Sequence, residues 1–211
     1  MFENLDAYIE TISSAIPQYL KDLERETHLK IAKPQMLTGY SQGRILSFFS
    51  RFIQAKNILE LGTFTGYGSL CLAEGLQKDG KLYTLEVSGE NAWLAEKYFK
   101  ISPFTSQIEL IYGQAQEIIP RLKPFWDLVY IDADKQNNQA YFELVWPKVR
   151  AGGLVLIDNI FARGGVFKSE SEQKKFEKSV LNFNNMLPEL AVGGRVTILP
   201  IRDGLTLVHK K

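Results

Sequence analysis

The pattern that most restricts the fold of this chain is a repeated exchange between two hydrophobic periods. Ile58-Leu59-Glu60-Leu61, Lys81-Leu82-Tyr83-Thr84-Leu85, Ile108 to Tyr112, Asp127-Leu128-Val129-Tyr130-Ile131 and Leu154-Val155-Leu156-Ile157 are short β-compatible runs, largely apolar on both faces. Between them Tyr67 to Leu76, Asn91 to Lys100, Gln114 to Leu122 and Asn138 to Val149 read as helices. Strands that are apolar on both faces need cover on both sides, which a parallel sheet with crossover helices supplies. The end of the chain departs from this alternation. After a helix from about Ser171 to Leu187, Val192 to Leu199 and Leu205 to Val208 flank Pro200-Ile201-Arg202-Asp203-Gly204. Asp-Gly between two strands signals a hairpin. The expected fold is α/β: a doubly wound, mostly parallel sheet with helices on both faces and an antiparallel C-terminal hairpin.

Residues 1–33 precede the alternation as a helical elaboration on a single domain whose core runs over 34–211. Phe2, Leu5, Ile9 and Ile12 fall at helical spacing, as do Tyr19, Leu20 and Leu23 after Pro17, which suits the first turn of a helix. Ser41 is a candidate cap for a helix carrying Ile45, Leu46, Phe49, Phe52 and Ile53. With 25 basic and 24 acidic side chains the net charge is +1, which argues against a general nucleic-acid binder. Lone Cys71 excludes an internal disulfide and fits a reducing compartment. No run approaches the ~20 apolar residues of a membrane span, and the acidic MFENLDAYIE lacks the basic start of a signal peptide. A cytoplasmic location without membrane contact is therefore expected.

In a doubly wound sheet, ligands bind beyond the carboxyl ends of the strands, where the strand order reverses. The loop expected there is Glu60-Leu61-Gly62-Thr63-Phe64-Thr65-Gly66-Tyr67. It lacks the G-x-G-x-x-G of dinucleotide sites, and Glu60 at the strand mouth would repel a pyrophosphate. It would attract a cationic ligand, and S-adenosylmethionine carries an ammonium and a sulfonium with no phosphate. Glu86, twenty residues after Gly66 at the end of the second strand, suits the two ribose hydroxyls. Read without function, both glycines merely shape a tight βα turn; the strand before, the helix after and the acid at Glu86 favour the binding reading.

Two more loops leave the same sheet edge. The fourth strand ends in Asp132-Ala133-Asp134-Lys135 and the fifth in Asp158-Asn159. Carboxylates and an amide oxygen are hard ligands suited to Mg²⁺, Mn²⁺ or Ca²⁺. His28, His209 and Cys71, which would suit zinc, lie away from these loops. If the two strands are neighbours, Asp132, Asp158 and Asn159 supply three oxygens and leave positions open for water or substrate. A hydroxyl on such a cation becomes more acidic, and Lys135 with a lowered pKa could then take its proton. The plain alternatives are loop turns and caps for the acids and a solvated surface charge for the lysine.

The stretches ILELGTFTGYGSLCLAEGL (58–76), LVYIDADK (128–135), GGLVLIDN (152–159) and LPIRDGLTLV (199–208) resemble the cation-dependent O-methyltransferases of the catechol and caffeoyl-CoA type, above all their small bacterial members. The likeness runs from about Pro34 to the C-terminus. It implies the class I, Rossmann-like methyltransferase fold, a seven-stranded sheet that binds S-adenosylmethionine. By that resemblance Met36-Leu37 covers the cofactor, Glu60 lies near its methionine moiety, Gly62-Thr63 forms the turn beneath it, Glu86 takes the ribose and Gln114-Ala115 the adenine. Gly66, Gly68, Ser69 and Asp132 complete the expected cofactor contacts. Asp132, Asp158 and Asn159 match the metal ligands and Lys135 the catalytic base. Two departures stand out. Gly68 occupies the place where the family usually has a Ser for the methionine carboxylate, with Ser69 one position later. Arg195 to Leu199 also offers no counterpart of the substrate-contacting Glu of the mammalian catechol enzymes.

The activity expected is transfer of a methyl group from S-adenosylmethionine to a vicinal hydroxyl of a small aromatic diol, catechol-like or phenylpropanoid, with a divalent cation, Mg²⁺ before Ca²⁺ or Mn²⁺. Methylation of hydroxyuridine in tRNA, a nicotinamide-dependent oxidoreductase and a non-catalytic binding module are the rival readings. The family resemblance also implies a homodimer, for which Phe2, Leu5, Ile9 and Ile12 offer an apolar face that packing on their own domain would equally explain. Ile160 to Lys168 is expected to be a mobile lid, and Trp126 and Trp146 to pack the interior.

Overall fold

The computed structural model describes residues 5–211, so Phe2 lies outside the described residues. Helices α1 (Leu5–Ile12), α2 (Gln18–Lys30) and α3 (Gly39–Phe52) precede β1 (Asn57–Leu61), α4 (Tyr67–Ala73), β2 (Lys81–Glu86), α5 (Gly89–Ile101) and β3 (Ile108–Tyr112). Then follow α6 (Ala115–Ile118), β4 (Trp126–Ile131), α7 (Asn138–Val145), β5 (Val149–Asp158), α8 (Lys175–Leu190), β6 (Gly194–Leu199) and β7 (Leu205–Lys210). The seven strands form one sheet in the order β3-β2-β1-β4-β5-β7-β6. β4 is parallel to β1 and β5, while β7 runs antiparallel to β5 and β6. This is the doubly wound sheet with a terminal hairpin that the hydrophobic periods predict. Among the described residues no helix is long and apolar enough to cross a membrane.

By packing, the chain divides into two units, residues 1–56 with 63–112 and residues 57–62 with 113–211. In the first, α4 is buried at every position, as its all-apolar or small YGSLCLA sequence requires. The Arg44 guanidinium of α3 meets the Glu74 carboxylate just past α4 in a two-pronged pair of 2.8 and 2.9 Å, and Ser47 Oγ donates to the same carboxylate at 2.7 Å. Glu26 of α2 accepts from Lys30, from Lys97 and from the Tyr98 hydroxyl of α5. The hydrogen bonds from the two ammonium groups hold its carboxyl down at about 2, against an ordinary value of 4.5. A carboxyl lowered on folding stabilises the fold fully above its unfolded value, and that contribution is lost as the pH falls through the folded one. Acid titration of stability should therefore steepen between pH 4.5 and 2 in the native protein. Glu26→Gln should flatten that limb in denaturant melts, and an unchanged limb would contradict the assignment.

In the second unit all six residues of β4 and the last six of β5 are buried. Ile58, Leu128, Val129, Val155 and Leu156 have no exposed surface at all. Trp126 is fully buried and Trp146 stacks on Phe142 at 5.2 Å, so both tryptophans pack the interior as expected. The differences lie at element ends. Ser41 is not a cap: α3 begins at Gly39 and Ser41 sits inside its first turn. The helices read to Leu122 and Val149 stop at Ile118 and Val145, each giving way to a 3₁₀ turn that contains a proline, Pro120 and Pro147.

Candidate active site

The strand order reverses between β1 and β4, which pair in parallel with Leu61 opposite Ile131. One step beyond, the Asp132 N–H donates to the Leu61 carbonyl at 2.8 Å. Gly62 then turns away with φ +94°, and a Cβ there would lie 2.4 Å from the Asp132 carbonyl oxygen. This is why a glycine is needed at the mouth of β1: the first loop and the end of β4 share one backbone-to-backbone contact. Gly62→Ala should destabilise the protein by about 2 kcal/mol or more, because strain and clash add and neither neighbour is a flexible side chain. The midpoint of urea unfolding checks this; a midpoint equal to that of the native protein would contradict it.

The acids beyond this point converge on one hydroxyl. Tyr130 of β4 places its Oη 3.1 Å from Asp132 Oδ2 and 3.5 Å from Asp158 Oδ2. The two carboxylates are thus no farther apart than these two contacts laid end to end. Lys135 Nζ sits 2.6 Å from Asp132 Oδ1, with both side chains about one-fifth exposed. Asp158 is 6% exposed, and its Oδ1 accepts the Asn159 N–H at 2.8 Å. Glu60, 1% exposed, belongs to the same neighbourhood. Burial pushes the Tyr130 phenol far above its ordinary value, and the charges of Asp132, Asp158 and Glu60 push it further. Two carboxylates at one hydroxyl, with the charge of Glu60 felt there too and Lys135 bonded to Asp132, form a locus of surplus negative charge. Asp134 is turned to a local task and accepts from the Tyr141 hydroxyl and the Asn137 amide.

The donor set fits a hard divalent cation: two carboxylates, with Asn159, whose side chain carries an amide oxygen, next in sequence to the second. Among the described residues no three His, Cys, Asp or Glu side chains cluster as a metal centre. A site here therefore depends on the amide and on solvent or substrate oxygens for its remaining positions. Tyr130 is the residue that sequence reasoning missed. Its signal was available, since alternate strand residues share a face and Tyr130 lies two before Asp132.

After Asn159 the backbone turns left-handed. Asn159 has φ +59°, Ala162 +50°, Arg163 +54° and Gly164 +81°. At the two ends of the segment 160–168, Asn184 Nδ2 donates to the Ile160 carbonyl at 2.7 Å and Gln173 Nε2 to the Lys168 carbonyl at 3.1 Å. Lys168 also pairs with the buried Glu177 of α8 at 2.7 Å.

The remaining predicted cofactor residues fall into two groups. In the first unit, Glu86 at the end of β2 is 7% exposed. Its Oε2 accepts the Phe64 N–H at 2.7 Å, and its Oε1 accepts those of Val87 and Ser88 at 3.0 and 2.9 Å. These three backbone N–H groups fix the orientation of the carboxylate at the end of β2. Thr63 Oγ1 lies 2.6 Å from Thr84 Oγ1. Gly66, at φ +89°, caps α4 where a Cβ would meet the Phe99 ring at 2.6 Å. Gly68 and Ser69 are buried in α4, and the Ser69 hydroxyl lies 3.4 Å from Thr84 Oγ1, against β2. Met36 is exposed and Leu37 buried at the 3₁₀ turn Pro34–Met36. In the second unit Gln114, exposed, precedes α6, and Ala115 is buried in it.

A family model described as O-methyltransferase matches residues 10–211. The catechol O-methyltransferase of Niastella koreensis is 33% identical over 195 residues, covering 89% of this chain and 86% of the relative. Caffeoyl-CoA O-methyltransferase 2 of Petunia hybrida is 30% identical over 204 residues, 92% and 84% of the two chains. Among solved structures, the O-methyltransferase of tomaymycin synthesis from Streptomyces achromogenes, in complex with S-adenosylmethionine, superposes with a TM-score of 0.89 at 27% identity over 98% of this chain and 95% of that one. An O-methyltransferase from Bacillus cereus in complex with S-adenosylhomocysteine gives 0.89 at 26% identity over 98% and 96%.

Proposed function

This chain belongs to the O-methyltransferase family, of the catechol and caffeoyl-CoA type, and from that premise we propose that it methylates one hydroxyl of a catechol-like or phenylpropanoid diol with S-adenosylmethionine and a divalent cation, Mg²⁺ before Ca²⁺ or Mn²⁺. The observation that supports this most is the meeting of Asp132 and Asp158 at the Tyr130 hydroxyl, with Lys135 on one carboxylate and Asn159 beside the other.

In this reading Asp132, Asp158 and Asn159 hold the cation. When bound, the cation supplies a Lewis acid that makes a coordinated hydroxyl more acidic. Lys135, once its ammonium has given a proton to solvent, takes the proton that the acceptor gives up as its oxygen forms the bond to the methyl carbon and the carbon–sulfur bond breaks, its electron pair leaving on the sulfur of S-adenosylhomocysteine. Asp132 holds the Lys135 nitrogen beside the acids that would bind the cation. Glu60 offers its charge to the cationic methionine end of the cofactor. Glu86, held by three backbone N–H groups, accepts from the ribose. Met36, Leu37, Gln114 and Ala115 contribute cover and adenine contacts. Most of the acceleration comes from alignment, which can remove ~7–11 kcal/mol of barrier.

The test is methyl uptake from labelled S-adenosylmethionine into catechol, a caffeoyl ester and bulk tRNA, each with Mg²⁺ and with chelator. The expected result is label in a diol, dependent on Mg²⁺, and none in tRNA. Label in tRNA alone, or full transfer to a diol in chelator, would overturn the reading.

A further inference from the structure

We propose that Asp203, in the turn between β6 and β7, is a positioning residue for Asn159, acting through a left-handed turn that its carboxylate clamps. The proposal rests on the cation reading above. Residues with a Cβ seldom adopt positive φ, and they keep it only where the surroundings over-determine it. Between β5 and α8, Asn159, Ala162 and Arg163 all do so. Bonds from the hairpin turn fasten this segment at Ile160, Phe161 and Arg163. The Phe161 N–H donates to the Asp203 carbonyl at 3.0 Å, and the Ile160 N–H lies 3.4 Å from the Gly204 carbonyl. The Arg163 N–H is shared between both carboxylate oxygens of Asp203, at 2.8 and 2.9 Å. A charged acceptor on a backbone N–H is a strong bond, and this one fastens the far end of the turn. Its near end closes on the Asn159 carbonyl, which accepts the Ala162 N–H at 3.2 Å.

The two turns are pressed together. Gly204 has φ +83°, and a Cβ there would lie 2.7 Å from Ile160 Cγ1 and 2.8 Å from the Phe161 ring. Asp-Gly in the sequence reads as a hairpin signal, and the glycine serves that role. The aspartate carboxylate serves the neighbouring loop instead. Asp203 contacts none of Asp132, Lys135 or Asp158 in any of these bonds; it fixes the backbone from which the Asn159 amide projects. Without the clamp the turn can relax toward right-handed conformations, and a relaxing Asn159 leaves Asp158 with one partner fewer in holding a cation.

Mn²⁺ titration of the whole chain, followed by electron paramagnetic resonance without acceptor, tests this in the native protein, Asp203→Ala and Asp203→Asn. S-adenosylhomocysteine binding and the thermal midpoint are measured alongside. The expected result is Mn²⁺ affinity about 10-fold weaker for Ala, the lower end of the range for a lost outer partner of a metal ligand, because Asp203 acts through the turn and not on Asn159 itself. A smaller loss is expected for Asn, which keeps one acceptor oxygen, and S-adenosylhomocysteine affinity should be unchanged. Should the Ala variant not fold, the Asn variant carries the test. A merely structural role would lower the thermal midpoint and leave the Mn²⁺ affinity of the folded variants at the native value, which would overturn the proposal. Native protein that binds no Mn²⁺ would instead overturn the cation reading on which it stands.

Discussion

Asp158→Ala is expected to reduce kcat/KM for methyl transfer by roughly three orders of magnitude, the loss of about 4 kcal/mol of transition-state stabilisation. Asp158 is almost fully buried at the end of β5 and accepts the Asn159 N–H and a share of the Tyr130 hydroxyl. In the proposed function, removing it would take one of two carboxylates from the oxygen set that would hold the cation. The fold should survive, because Tyr130 keeps Asp132 as an acceptor at 3.1 Å. Asp158→Asn tests charge apart from shape: its amide oxygen can still accept a backbone N–H, yet the negative charge is gone. Both variants should bind S-adenosylhomocysteine as the native protein does. Activity within a few-fold of native in either folded variant would remove the carboxylate from the mechanism.

Lys135→Met is expected to lower kcat by about 10²–10⁴-fold, the range for loss of a positioned general base. The side chain is similar in length and makes no ion pair, so the change removes the nitrogen 2.6 Å from Asp132 and little else. The direction of the metal effect separates the two roles. An ammonium on Asp132 competes with a cation for the same oxygen, so its removal should leave cation affinity equal or higher while turnover collapses. Lys135→Arg should remain inactive, because a guanidinium keeps its charge and cannot accept the proton. Full turnover in Lys135→Met would show that another group, or water, takes the proton.

The sheet was legible because its central strands are buried on both faces, and β4 and β5 consequently read as unbroken apolar runs. The loops carrying Gly62, Asp132 and Asp158 were legible for a related reason: each polar residue follows directly on such a run. The less readable features depend on the third dimension. Tyr130 looks like one more buried strand residue, and its reach to two carboxylates depends on β4 lying beside β5 in register. Nothing local marks Arg163 as left-handed, since the carboxylate that holds its N–H comes from a residue forty positions away. Helix ends were overextended where Pro120 and Pro147 replace the last α-helical bonds with 3₁₀ turns.

Anomalous diffraction from crystals grown with Mn²⁺ and S-adenosylhomocysteine addresses the centre of this account without reference to any acceptor. It should show a single strong peak coordinated by oxygens of Asp132, Asp158 and Asn159, with Lys135 displaced from the coordinated oxygen of Asp132. A peak held by other side chains, or density at these three residues unchanged at saturating Mn²⁺, would contradict it.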